Sequence, residues 1–292
     1  MILNNLGHTG LRVSALGFGA MHINDERTTE AEAGALLNHV LDLGINLVDT
    51  ARGYGLSEER IGRHLNTRRA DFVLSTKVGY GVEGVPDWTY DCIVQGVERA
   101  LKLMQTDWLD IVHLHSCPLH VLEQGEVVRA LNDCRTAGKL RVAAYSGDNA
   151  EIDFALVCGA FGSLQTSVSI CDQAHLNLRA ARADHAGIGV IAKRPLAGAV
   201  WRHAQRPDDF AEGQYWDRFK AMSLPAKEDW ADLALRFAAF HTGVASAIVG
   251  TAKPANLRRN IEAISRGPLP AELVVAVRAA FDQHGDAWPG LI

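Results

Sequence analysis

Asp49, Tyr54, Lys77 and His115 are the residues of this 292-residue chain best suited to move a proton. Each lies at or just past the end of a segment with β-strand character, and a barrel of parallel strands gathers such positions at one mouth. A phenol flanked by a lysine, a carboxylate and an imidazole can hand a proton to a carbonyl oxygen. Lys77 paired with Asp49 stays charged in a low-dielectric mouth, and its ammonium lowers Tyr54 from an ordinary phenol value of about 10. Tyr54 then serves as a general acid near neutral pH. His115, if neutral, donates a hydrogen bond to a substrate oxygen. His113 shares its face of the strand but lies deeper, as a core histidine. Taken singly, a strand-end Asp is often a cap, a loop Tyr is often packing and a strand-end Lys is often solvated. Their convergence at successive strand ends is what points to a site.

The elements that must position these residues alternate throughout. Strand character falls at 15–18, 46–49, 73–76, 109–114, 142–146, 164–167, 189–192 and 246–249. Helical patterns fall at 29–43, 57–65, 90–103, 123–137, 151–158, 178–186, 229–241 and 254–264. Eight such repeats over about 250 residues predict a closed (β/α)8 TIM barrel, a single domain over residues 1–292. An open doubly wound sheet is the alternative, but Gly17-Phe18-Gly19-Ala20-Met21 lacks the third glycine of its phosphate turn. Ser57 is the expected N-cap of the second helix, and Gly44 and Gly138 are expected helix stops. Gly7-His8-Thr9-Gly10, between Leu3 and Leu11, predicts an N-terminal β-hairpin capping the barrel floor. Residues 197–228 form a long connection after the seventh strand, expected on the C-terminal face.

Bulk properties exclude several classes. Hydrophobic residues make up 48 % of the chain, and 29 Lys+Arg against 34 Asp+Glu leave a net charge of −5. That predicts no nucleic-acid footprint, and the absence of an apolar run of about 18–20 residues predicts no membrane span. The five cysteines form no CxxC pair, which fits small packed residues in a reducing cytoplasm. The N-terminal residues lack signal-peptide character. No metal site is expected, and a monomer or weak dimer is the default.

Six stretches resemble the aldo-keto reductase family, in family order. They are "LGHTGLRVSALGFGAM" at 6–21, "GINLVDTARGYGLSEERIGRHL" at 44–65, "LSTKVG" at 74–79, "LDIVHLH" at 109–115, "GKLRVAAYSGDN" at 138–149 and "AIVGTAKPANLRRNIEAI" at 247–264. The resemblance implies a (β/α)8 barrel that binds NADPH without a Rossmann motif. It implies Tyr54 as proton donor, Lys77 and Asp49 as its tuning pair and His115 as the residue orienting the carbonyl. It places Gly19, Ala20, Met21 and Asp49 beside the nicotinamide ribose, and Ser146 and Gln165 at the carboxamide. Where the family usually has Asn after that serine, this chain has Gly147-Asp148. Where the family often stacks a tyrosine on the nicotinamide, this chain has Lys193-Arg194-Pro195-Leu196, whose cations are expected near the pyrophosphate. Gly250, Thr251 and Lys253 precede a helix whose N-terminus favours an anion. Asn256 stands where many members place an Arg for the 2′-phosphate, with Arg258 and Arg259 displaced along the helix, and Asn260 joins the cofactor set. NADP is the expected cofactor, used as NADPH in preference to NADH.

The substrate is expected to be a small carbonyl compound, in a pocket drawn from Trp88, Cys117, Trp201 and Trp216 with Trp288 at the far side. Three rival readings use the same residues. Lys77 as a Schiff-base nucleophile would give an aldolase or lyase, but Asp49 beside it opposes the neutral amine that attack requires. His113-Leu114-His115 would suit a metal-dependent hydrolase, but further ligands at matching strand ends are missing. The third is a slow or non-catalytic NADP(H)-binding sensor or regulatory protein.

Overall fold

Alternating side chains along each strand serve two separate cores. The computed structural model describes residues 1–174, 178–225, 229–284 and 288–291. An antiparallel hairpin, β1 (Leu3–Asn5) and β2 (Arg12–Ser14), opens the chain. Strand β3 (Leu16–Gly19), helix α1 (Glu30–Asp42), β4 (Leu47–Asp49), α2 (Ser57–Leu65), β5 (Val73–Val78), α3 (Tyr90–Leu103) and β6 (Leu109–His115) follow. Next come α4 (Leu119–Gln124), α5 (Glu126–Thr136), β7 (Leu140–Ser146), α6 (Asn149–Val157), β8 (Ser163–Ser167), α7 (Leu178–His185) and β9 (Gly189–Lys193). The last elements are α8 (Phe210–Ala221), α9 (Trp230–Ala239), β10 (Val244–Val249), α10 (Pro254–Ser265) and α11 (Ala271–Asp282). Strands β3 to β10 are parallel and close into a barrel, with β10 pairing both β9 and β3. The expected (β/α)8 barrel with an N-terminal hairpin is therefore the observed fold.

Leu47, Val73, Ile111, Val142 and Ile191 pack inside the barrel with Leu6, Leu11 and Val13 of the hairpin. Their strand neighbours Val48, Leu74, Val112, Ala143, Val190 and Ala192 belong instead to the core under the helices. A period of two thus fills both sides of the sheet. The hairpin closes the floor through close backbone approach. Gly7 has φ +52, and a Cβ there would lie 2.3 Å from the Gly187 carbonyl oxygen and 2.4 Å from the Gly189 nitrogen. Gly7→Ala is expected to cost about 2–3 kcal/mol, because strain and a backbone clash combine. A chemical denaturation midpoint unchanged from the parent would disprove that account.

Two local expectations are corrected. The helix predicted over 123–137 is two helices, because Gly125 adopts φ +76 and ends α4 before α5 begins. Ser57 is not the N-cap of α2; Leu56 is, without a side-chain cap. The Ser57 hydroxyl is buried and donates instead to the Ala20 carbonyl at 3.0 Å, while Thr50 Oγ1 lies 2.8 Å away. That bond ties the loop after β4 to the turn after β3. Gly44 and Gly138 take positive φ after α1 and α5, as expected of helix stops. The connection at 197–228 is structured, with a 3-10 segment at Ala197–Arg202 followed by α8; its residues 226–228 lie outside the described residues. Among the described residues no helix is long and apolar enough to cross a membrane.

Candidate active site

Strand ends bring Asp49, Lys77 and His115 to one mouth, joined there by Tyr54 from the loop after β4. Asp49 is the last residue of β4 and His115 the last of β6, while Lys77 is the penultimate residue of β5. Tyr54 is set by its loop: Ser57 N donates to the Tyr54 carbonyl at 2.9 Å, and Arg52 N donates to the Lys77 carbonyl at 3.1 Å. Gly55 completes the turn at φ +45, where a Cβ would lie 2.2 Å from the Asn24 carbonyl oxygen. Only glycine combines that conformation with that approach.

Lys77 and Asp49 are 1 % and 2 % exposed, and Lys77 Nζ lies 2.6 Å from Asp49 Oδ2. Lys77 also donates to the Thr50 carbonyl at 2.8 Å, and its Nζ lies 5.1 Å from the centre of the Tyr54 ring. Burial is the largest single influence on Lys77 and works against its charge, yet Asp49 and Tyr54 together hold its pKa above the ordinary lysine value. The other carboxylate oxygen of Asp49 accepts from Ser75 Oγ at 2.8 Å and Gln165 Nε2 at 2.9 Å. Gln165 Oε1 in turn accepts from Ser146 Oγ at 3.1 Å. One network therefore joins Ser146, Gln165, Asp49 and Lys77 across four strands. A buried ion pair needs such satisfied lone pairs.

His115 is pushed down to about 3 by burial, with the Lys77 and Lys193 charges adding to the effect. It is a neutral imidazole at any physiological pH. Its ring meets Tyr54 edge to face at 6.1 Å. His113 is fully buried and held to about 4, mainly by burial, with Nε2 3.1 Å from Ser75 Oγ. The two histidines thus face different partners. Among the described residues no group of three or more His, Cys, Asp or Glu side chains is arranged to hold a metal ion. The five cysteines are all free.

Tyr54, Lys77, His115, Asp49, Ser146 and Gln165 line one cavity of about 620 Å³. Gly19, Met21, Lys193, Arg194, Pro195, Leu196, Gly250, Thr251, Asn256 and Asn260 line it too. Ala20 is buried beside it rather than lining it. At the β10 end, Thr251 Oγ1 accepts from Lys253 N and from Asn256 Nδ2, each at 3.1 Å. Helix α10 begins there with Pro254 in its first turn and no side-chain cap. Its first-turn amides and dipole favour an anion.

Lys193 and Arg194 reach the cavity already engaged. Lys193 Nζ lies 2.9 Å from Asp148 Oδ2. Arg194 donates to the Leu291 carbonyl at 2.6 Å. Asp148 also accepts from Thr166 Oγ1 at 2.7 Å and Ser167 N at 2.9 Å. Asp148 and Lys193, both in stretches that depart from the family pattern, therefore form one ion pair. Burial lowers the Lys193 pKa below the ordinary lysine value in spite of Asp148.

None of the residues expected around the substrate, Trp88, Cys117, Trp201, Trp216 and Trp288, lines that cavity. The Trp88 ring fills the space a Cβ on Gly79 would take and packs edge-on against Tyr80. Cys117 is fully buried, its thiol directed at the Pro118 carbonyl. Trp201 packs with Phe219 and Trp230, Trp216 Nε1 donates to the His203 carbonyl, and Trp288 packs on Phe281 and His284. The cavity is also lined by His22, Ser116, Gly198, Ala199, Arg202 and Glu212, which the sequence reading did not assign to it, and by Arg259, which it set along the helix from the 2′-phosphate position. Arg202 had a signal, a cation beside Trp201 in the long connection.

The sequence pattern described as the Aldo/keto reductase family matches residues 15–282. The chain belongs to that family. An aldo-keto reductase from Bacillus halodurans, solved in its holo form, superposes with a TM-score of 0.83 at 29 % identity, covering 96 % of each chain. L-galactose dehydrogenase of Arabidopsis thaliana is 29 % identical over 283 residues, 90 % of this chain and 88 % of that one. D-threo-aldose 1-dehydrogenase of a Pseudomonas species is 27 % identical over 301 residues, 87 % of this chain and 90 % of that one. Within the family, the strand-end positions of Asp49, Lys77 and His115 are the natural place for chemistry, because barrel enzymes build sites at this face.

Proposed function

We propose that this protein reduces aldehydes or ketones to alcohols, or runs the reverse reaction, with NADPH as its preferred cofactor. The observation that carries the reading is the single cavity. It joins Tyr54, charged Lys77 and neutral His115 to an amide-bearing end at Ser146 and Gln165 and an anion-favouring end at α10. These ends suit a dinucleotide whose ring amide and phosphates need different partners. When bound, the reduced nicotinamide supplies a hydride to the carbonyl carbon.

The chain's own residues handle the proton and the charge. Tyr54 gives its phenol proton to the carbonyl oxygen. Lys77, held protonated by Asp49, stabilises the phenolate left behind, and Thr50 fixes the ammonium. His115 donates a hydrogen bond to the oxygen as charge builds on it, an electrostatic contribution available without reorganisation. Asp49 joins this machinery to Gln165, so the amide end is coupled to the proton donor. A Schiff-base role for Lys77 is disfavoured, since its amine is held charged rather than neutral.

The test is fluorescence titration with NADPH and NADH, followed by cofactor oxidation with an aromatic aldehyde and a panel of sugars. Two relatives are named as sugar dehydrogenases, which places polyhydroxy aldehydes and their alcohols in that panel. Binding of neither cofactor by the folded protein would end the proposal. Asn256 stands on the first turn of α10 and lines the cavity. Asn256→Arg is expected to tighten NADPH about tenfold relative to NADH, the scale of one charge-assisted phosphate contact. An unchanged ratio of the two dissociation constants would place the 2′-phosphate elsewhere.

A further inference from the structure

Tyr80 lies three residues beyond Lys77, on the loop after β5, and its phenol oxygen is 2.7 Å from His115 Nδ1. The two rings are also stacked, with centroids 5.5 Å apart. Several contacts hold the phenol there. Gly79 and Gly81 take φ +140 and +71 and turn the loop over the mouth. Trp88 N donates to the Gly79 carbonyl at 2.8 Å, and the Trp88 ring backs Tyr80. Arg52 donates to the Gly81 carbonyl. The loop is pinned at three points, so the phenol meets the imidazole in one geometry.

A neutral imidazole carries one proton, and a hydrogen bond to one ring nitrogen decides which nitrogen has it. We infer that Tyr80 is a positioning residue that donates its hydroxyl proton to His115 Nδ1 and so fixes the Nε2–H tautomer. The inference rests on the proposed carbonyl chemistry for its purpose, but not for its geometry. Two alternatives are removed by the surroundings. An imidazolium is disfavoured by burial and by the Lys77 and Lys193 charges. As an acceptor, Tyr80 would be either a phenolate, disfavoured because burial raises its pKa above the ordinary phenol value, or a neutral phenol whose own proton has no other hydrogen-bond partner among the described residues. With Nδ1 occupied as acceptor, Nε2–H is the ring's donor toward the cavity that His115 lines. In the opposite tautomer, the cavity would receive a lone pair, which repels a carbonyl oxygen. Tyr80 thereby gives the mouth a hydrogen-bond donor beside the proton donor Tyr54, without itself touching the reacting atoms.

The test is long-range ¹H–¹⁵N correlation on ¹⁵N-histidine protein, with His115 signals identified by their loss in His115→Asn. The expected result is an unprotonated, hydrogen-bonded Nδ1 and a protonated Nε2. A protonated Nδ1 in the parent protein would overturn the inference. Tyr80→Phe keeps the ring and its stacking, and should show a mixed tautomer population. Its kcat for aldehyde reduction should fall roughly tenfold, the scale of one buried hydrogen bond, while the NADPH dissociation constant stays within about twofold. A Tyr80→Phe protein with unmixed Nε2–H and parental kcat would also overturn it. The two readings separate cleanly. A parent protein that shows Nε2–H but reduces no carbonyl keeps this assignment and loses the proposed function.

Discussion

Tyr54→Phe is expected to lower turnover by roughly 10²- to 10⁴-fold, the range for removal of a general acid. The phenylalanine ring keeps the edge-to-face contact with His115 at 6.1 Å and the position under Lys77. What it removes is the O–H that delivers the proton and the oxygen that takes up the negative charge. Cofactor affinity should change by less than about twofold, because loss confined to the transition state lowers kcat rather than binding. The measurement is cofactor oxidation with an aldehyde under saturation, paired with fluorescence titration of the same preparation. Retention of parental turnover would remove Tyr54 from the mechanism. The candidate donor would then have to be a water or another group at the mouth.

The fold was legible because each strand alternates between two cores. Leu47 beside Val48, Val73 beside Leu74 and Ile111 beside Val112 are apolar on both faces, as strands covered by helices must be. The gathering of the four candidate residues at one cavity was legible for a related reason. Asp49, Lys77 and His115 fall at the ends of neighbouring strands, and parallel pairing brings those ends together without long-range knowledge. What escaped depends on contacts between distant segments. The break at Gly125 is a backbone torsion, visible only once φ is known. Lys193 read alone is a free cation for a phosphate; its partner Asp148 follows β7, 45 positions earlier. The tryptophans were read as a pocket lining, but Trp88, Trp201 and Trp216 do not line the cavity, and Trp88 fills the space over Gly79. Tyr80 escaped because His115, its partner, is 35 residues away and neither sequence neighbourhood names the other.

Lys77→Met is expected to destabilise the fold by about 3–5 kcal/mol, because it leaves Asp49 buried without its counter-charge. The lower end applies, since Ser75 and Gln165 still donate to the carboxylate. In a chain of this size that corresponds to a fall in Tm of roughly 5–10 °C. Turnover should also collapse, so the single variant cannot tell a structural lysine from a catalytic one. The double variant Asp49→Asn, Lys77→Met makes that separation. Removing both charges leaves no unpaired ion, and a neutral pair in a buried site is often as stable as the ion pair it replaces. The introduced amide would still offer an oxygen to Ser75 and Gln165. Calorimetry of the double variant should therefore recover most of the lost Tm, while aldehyde reduction stays at the level of the single variant. Recovery of activity together with stability would mean that the pair only holds the barrel mouth in shape. A double variant no more stable than Lys77→Met would mean that the lysine's packing, rather than its charge, supports the site. The pattern expected here, stability restored and chemistry still absent, follows from the geometry. The ammonium is held 2.6 Å from a carboxylate and over a phenol ring, where the proposed chemistry has Tyr54 use its charge.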